Sequence, residues 1–231
     1  MPRLLVHVEG ETEEAFVNEI LRRHLLACGY ASVGARIVGN ARQRDRRGGI
    51  RGWPGVKQDI LRHLKQDEGC LATTMVDYYA LPQSGDRAWP GRALAGELPY
   101  AAKAEAVEDA LAEEIAAHMG WDGPYESRFI PFVVMHEFEG LLFSDCAAFA
   151  SAIGRPGLAI SFQEIRDEFD TPEEINDSPT TAPSKRVENL VPAYQKPLFG
   201  NVAALEIGLD AIRGACPHFD AWLTALESQC Q

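Results

Sequence analysis

The chain has 231 residues, a formal net charge of −12 and 46% hydrophobic residues. That length allows one sizeable core, with or without a small appended region. The negative charge argues against a protein that binds polyanions through its overall field, so any nucleic-acid contact would need a local basic patch or a metal. Cys28, Cys70, Cys146, Cys216 and Cys230 include no CxxC pair and are odd in number, which predicts free thiols in a reducing compartment and argues against a disulfide frame or a zinc site. No run approaches the roughly 20 apolar residues of a membrane span, and Glu9 interrupts the only early apolar run, so cytoplasm is the expected compartment.

Leu4 to Val8 is a short apolar run that ends at Glu9-Gly10, and it reads as a buried strand. Thr12 is the expected N-cap of a helix from about Glu13 to Leu26, with Phe16, Val17, Ile20, Leu21 and Leu25 at helical spacing. A second strand is expected over Ala35 to Val38. A Gly/Arg-rich loop follows, then a helix from about Val56 to Gln66. Leu71 to Val76 is a strongly apolar strand ending at Asp77, expected to pair in parallel with the first. The proline- and glycine-rich residues 80 to 100 predict an irregular segment. Ala101 to Met119 reads as an alanine-rich helix and Phe129 to Met135 as a third apolar strand, running into His136-Glu137-Phe138-Glu139. Beyond residue 150 the pattern turns helical. Helices are expected over Phe162 to Phe169, from Thr171, over Ser184 to Leu190, Ala203 to Ile212 and Phe219 to Leu226. The predicted organisation is an α/β core over 1–150 and a helical region over 151–231 packed on it.

Three apolar runs end in acid: Val8 in Glu9, Val76 in Asp77, and Met135 in Glu137 and Glu139. In parallel α/β sheets, ligands bind beyond the carboxyl ends of the strands. Carboxylates confined there repel one another and need a cation or a shared proton. Hard oxygen ligands select Mg²⁺ or Mn²⁺, and Glu13, one turn into the first helix, can join the set. Acids after strands also arise simply because loops are polar and helix starts favour negative charge. The basic stretch Arg36, Arg42, Arg44, Arg46, Arg47 and Arg51 reverses the sign of the chain locally, which suits bidentate phosphate contact, though a solubilising loop or a dock for an acidic partner has the same composition. Lys185 and Arg186 open a late helix and could meet a developing phosphate charge, or simply form a solvated face. The HExxH motif of zinc proteases, the P-loop and GxSxG are all absent from the sequence.

Val8-Glu9-Gly10-Glu11-Thr12-Glu13 resembles the first motif of Toprim domains, found in topoisomerases, DnaG-type primases and OLD-family nucleases. Glu9 and Glu13 match the family's glutamate after the first strand and a second acid four residues on. Met75-Val76-Asp77-Tyr78-Tyr79 stands where the family has DxD, with Tyr79 in place of the second acid. Glu137 or Glu139 could supply the missing ligand. VEGETEE, DYYALP, HEFEGLLFSD, TPEEIND, PSKRVENL and CPHFDAWL resemble the successive blocks of DUF4276, a Toprim-like family often encoded beside an ATPase in bacterial defence neighbourhoods.

The resemblance implies an α/β, Toprim-like (Rossmann-like), mostly parallel sheet flanked by helices with a helical C-terminal region. It also implies a Mg²⁺- or Mn²⁺-dependent nuclease acting on DNA or RNA as the effector of a partner ATPase. Glu9, Glu13, Asp77, Glu137 and Glu139 would be the metal ligands, and Glu9, Asp77 and Lys185 the catalytic groups. Arg42, Arg44, Arg46, Arg47, Arg51 and Arg186 would contact nucleic acid. The alternative is a degenerate Toprim-like module that docks the ATPase or nucleic acid without cutting, as Tyr79 would suggest. A metal-dependent phosphotransferase acting on small molecules is a third reading.

Overall fold

A computed structural model describes residues 1–38, 50–123, 128–176 and 181–230. Strands β1 (Arg3–Val8), β2 (Ser32–Ile37), β3 (Cys70–Asp77) and β4 (Phe129–Ile130) lie in the order β2-β1-β3-β4, every pairing parallel. A further short strand, β5 (Val133–Val134), pairs in parallel with the end of β3. Because side chains alternate across a strand, Leu4, Val6 and Val8 of β1 enter one core, while His7 points to the other face and lies beside His63, with ring centroids 5.4 Å apart.

The helices cover both faces, as a parallel sheet requires. On one face, α1 (Glu11–Phe16), a π-helical turn (Val17–Leu21) and α2 (Arg22–Cys28) share a core with the C-terminal helices. On the other lie α3 (Trp53–Gln66) and α5 (Tyr100–Met119). The segment expected to be irregular holds a 3₁₀ turn (Gly85–Arg87) and a short helix, α4 (Arg92–Ala95), whose buried Arg92 donates to the Tyr78 carbonyl and lies over the Tyr78 ring.

The C-terminal region is built of α6 (Cys146–Ala152), α7 (Ala159–Arg166), α8 (Pro183–Leu190), α9 (Lys196–Ile207), α10 (Leu209–Ala215) and α11 (Pro217–Ser228). Its aromatic residues lie in the same core as β1 and α1: Phe16 meets Phe219 edge-on, and Trp222 stacks on Phe132 at 4.3 Å. Among the described residues, no helix is long and apolar enough to cross a membrane.

Four local expectations change; one is that the helix expected from Thr171 is only the 3₁₀ turn Pro172–Glu174. The first helix begins at Glu11, with Gly10 as N-cap, so Thr12 is an interior, buried residue and not the cap. Extended Gly10 frees its N–H for the Glu13 carboxylate at 2.9 Å, the returning half of a capping box. The third apolar run is two short strands, because Pro131 has no N–H to give the ladder. The hydroxyls of Thr73 and Thr74 take over there: Thr74 Oγ1 accepts from the Phe132 N–H at 2.9 Å, and Thr73 donates to the Ile130 carbonyl. Finally, the helix expected over Ala203 to Ile212 is broken at Gly208, whose φ of 81° lies in the region that favours glycine.

Buried Glu173 fastens α11 to the core by accepting from the backbone N–H groups of His218 (3.0 Å) and Phe219 (2.9 Å) at the helix start. Glu173→Ala removes both acceptors, and a loss of about 2 kcal/mol in urea unfolding is expected. A loss under about 0.5 kcal/mol would contradict this role.

Candidate metal centre

Parallel pairing brings the carboxyl ends of β1, β3 and β5 side by side, and each delivers an acid. Val8 pairs with Met75 and Asp77 with Val134, so Glu9, Asp77 and the segment after β5 open on one edge of the sheet. The turn after β5 is tight. His136 has φ 64°, and the Glu137 N–H reaches back to the Met135 carbonyl at 3.1 Å. That is a γ-turn with positive φ, a strained conformation that persists only where its surroundings hold it. Here the His136 ring lies among Tyr78, Tyr79 and Tyr100 at 6.3, 5.1 and 5.8 Å. The turn launches the 3₁₀ segment Phe138–Ser144, and Glu139 is almost fully buried within it.

The acids have different holders. One Asp77 oxygen accepts from the Phe138 N–H at 3.0 Å, and Glu137 accepts from the Ser184 N–H at 3.0 Å at the start of α8. Lys196, the first residue of α9, lies 3.1 Å from Glu139 and 3.8 Å from Glu137. It is placed by close packing of α9 on α1: a Cβ at Gly200 would stand 3.2 Å from Thr12 Cγ2. Glu9 Oε2 and Glu139 Oε1 are buried and have no hydrogen-bond partner among the described residues.

The electrostatics follow from this crowding. Burial first, and then the Glu13 charge, push the Glu9 carboxyl up to about 7. Burial pushes Glu139 up to about 7 against the pull of Lys196. Asp77 is raised well above the carboxylate range by burial and by Glu9 and Glu13, and Glu13 is raised by burial. Burial works against the Lys196 ammonium, but Glu139, Glu137 and Asp77 together hold it above its usual value. Among the described residues, the Lys196 ammonium is the cation these acids feel, and it does not balance them.

The structure thus brings together Glu9, Glu13, Asp77, Glu137 and Glu139, but not the cation expected with them. Lys185 is paired with Glu188 at 2.6 Å and half exposed; the ammonium that the acids feel is that of Lys196. In the sequence Lys196 is a lone lysine before Pro197, with nothing to link it to strand ends about 60 to 190 residues earlier. Arg186 is also engaged: it donates to the Thr181 carbonyl, pairs with Glu168 at 2.8 Å and covers the Phe169 ring. Arg51 pairs with Asp59 at 2.9 Å. Arg42, Arg44, Arg46 and Arg47 lie outside the described residues.

The architecture defines the class as an α/β protein with a parallel sheet and a carboxylate-rich centre at its carboxyl edge. Residues 8–227 match the family model DUF4276, a domain of unknown function, and the chain belongs to that family. No curated protein and no solved structure matches the chain.

Proposed function

We propose that this chain is a Toprim-like, Mg²⁺- or Mn²⁺-dependent nuclease that hydrolyses phosphodiesters of DNA or RNA, acting in the cytoplasm as the effector of an ATPase-linked bacterial defence system. The observation that carries this reading is that Glu9, Asp77, Glu137 and Glu139, from three strand ends, and Glu13, from α1, lie close enough to act on one another and on the Lys196 ammonium. The donor set fits a hard divalent cation: all the donors are carboxylate oxygens, and two buried ones, on Glu9 and Glu139, have no partner among the described residues. Glu9, Asp77 and Glu139 would hold the ion, with Glu13 and Glu137 beside them, and their side chains would have to draw in to do so, since no three of these acids hold donor oxygens within 4.8 Å of one another. A bound Mg²⁺ supplies Lewis-acid polarisation of the phosphate and a water of lowered pKa. Glu9 would also stand beside the attacking water and could take its proton. Lys196 is placed to meet negative charge on a phosphate oxygen, a role that sequence reasoning assigned to Lys185.

A second reading, a degenerate module that binds the ATPase or nucleic acid without cutting, draws on Tyr79. It replaces the second acid of the DxD pattern, and its hydroxyl is tied to the Asn176 amide. Plasmid, linear DNA and RNA incubated with Mn²⁺, with and without the neighbouring ATPase, separate the two. Glu9→Ala and Asp77→Ala should each lower cleavage by on the order of 100-fold or more. Cleavage that persists unchanged in both variants would remove the centre from the reaction. No cleavage by wild type, with Mn²⁺ still bound, would favour the module.

A further inference from the structure

A second constellation lies away from the acidic edge, where the end of α2 meets the last turn of α11. Cys28 follows His24 by four residues, which puts both side chains on one helix face. Their ligand atoms, His24 Nε2 and Cys28 Sγ, are 3.7 Å apart. Glu227 arrives from α11 with Oε1 2.5 Å from His24 Nε2. All three donor atoms lie within 4.8 Å of one another. The contact between the helices is tight: the Tyr30 hydroxyl donates to the Leu226 carbonyl at 2.8 Å, and a Cβ at Gly29 would lie 3.5 Å from Cys230 Cβ.

We propose that His24, Cys28 and Glu227 form a thiophilic metal site that takes Zn²⁺ and joins α2 to α11. Zinc bonds of about 2.0 Å to nitrogen and 2.3 Å to sulfur, at tetrahedral angles, place neighbouring ligand atoms roughly 3.5 Å apart. The His24–Cys28 separation already meets that. The His24–Glu227 contact must open by about 1 Å as the ion replaces the hydrogen between them. Arg213 holds Glu227 from the other side, at 2.5 Å from Oε1 and 3.3 Å from Oε2, and it also holds Asp220. It can keep Oε2 while Oε1 turns to the metal. A fourth position is left for water.

Imidazole with thiolate selects Zn²⁺ or Co²⁺ over Mg²⁺, so the site differs in kind from the all-oxygen centre. Ion binding releases the Cys28 thiol proton and the proton between His24 and Glu227 to solvent. His24 and Glu227 are partly exposed, with side-chain accessibilities of 31% and 25%, so an ion can enter. Cys70, Cys146 and Cys216 are buried and do not compete for it. The irregular spacing of the cysteines argues in sequence against zinc, yet the fold supplies from residue 227 the ligand that local spacing lacks.

The test is Co²⁺ titration of the chelator-treated full chain under reducing conditions. One equivalent should give a thiolate-to-Co²⁺ charge-transfer band in the near ultraviolet with tetrahedral visible bands, and Zn²⁺ should displace them. A Glu9→Ala/Asp77→Ala double variant should retain the bands, which separates this site from the acidic centre. Cys28→Ser should abolish the charge-transfer band, and His24→Gln should weaken Co²⁺ binding about 10-fold or more with the fold intact by circular dichroism. Absence of a charge-transfer band in wild type, or a band of full strength in folded Cys28→Ser or in His24→Gln, would overturn the proposal.

Discussion

Without divalent metal, the protein is expected to lose stability as pH rises from about 4.5 to about 7, and Mn²⁺ is expected to restore it. Glu9 and Glu139 each rise from an ordinary 4.5 to about 7 in the folded state, chiefly through burial. A carboxyl with a raised folded pKa favours the fold below its unfolded pKa, and that advantage disappears as pH passes through the folded value. The shift corresponds to on the order of 3 kcal/mol per group. His218, also raised, acts in the same direction, whereas buried His7, lowered to about 3 by burial, acts in the opposite one below about 6.5. Comparing wild type with Glu9→Gln in chelator cancels both histidines. Urea unfolding at pH 5 and pH 8 should show a smaller loss for the variant, and saturating Mn²⁺ should stabilise wild type at pH 8 but not Asp77→Asn. Equal pH dependence in wild type and Glu9→Gln, or no stabilisation of wild type by Mn²⁺, would remove the ground for a cation centre.

Trp222→Ala is expected to cost about 3–5 kcal/mol, the range for an aromatic removed from a close-packed core. Trp222 is 4% exposed, and its ring lies at 10° to the Phe132 plane. Its indole N–H donates to Thr73 Oγ1 at 2.9 Å, and Thr73 in turn donates to Ile130 across the gap left by Pro131. The same residue therefore fills a cavity and secures the broken strand that leads to Glu137 and Glu139. Trp222→Phe keeps most of the volume and should recover more than half of the loss. If both variants lose under about 1 kcal/mol in urea unfolding, α11 contributes little to the core.

Much of this framework could be read directly from residue patterns. The runs reaching Val8 and Val76 are mostly apolar, and short apolar runs bounded by polar turns are the usual pattern of buried parallel strands. The helices over Trp53–Gln66 and Tyr100–Met119 follow from periodicity and helix-forming composition. Ends and breaks were harder to place. Whether Gly10 or Thr12 caps the first helix depends on where Glu13 points, and whether residues 129 to 135 form one strand depends on a proline whose missing hydrogen bond is replaced by threonines on another strand.

By itself the sequence determined a parallel α/β sheet and the acids at its strand ends, because strand, turn and helix signals are local and acids after apolar runs can be counted along the chain. Only the tertiary structure decided the cation and the second cluster. Lys196 reaches Glu139 because α9 packs closely on α1 through Gly200, and Glu227 reaches His24 because α11 returns to α2. Both contacts join residues far apart in the chain, and no local pattern records such a meeting, since it is set by the packing of whole helices on the sheet.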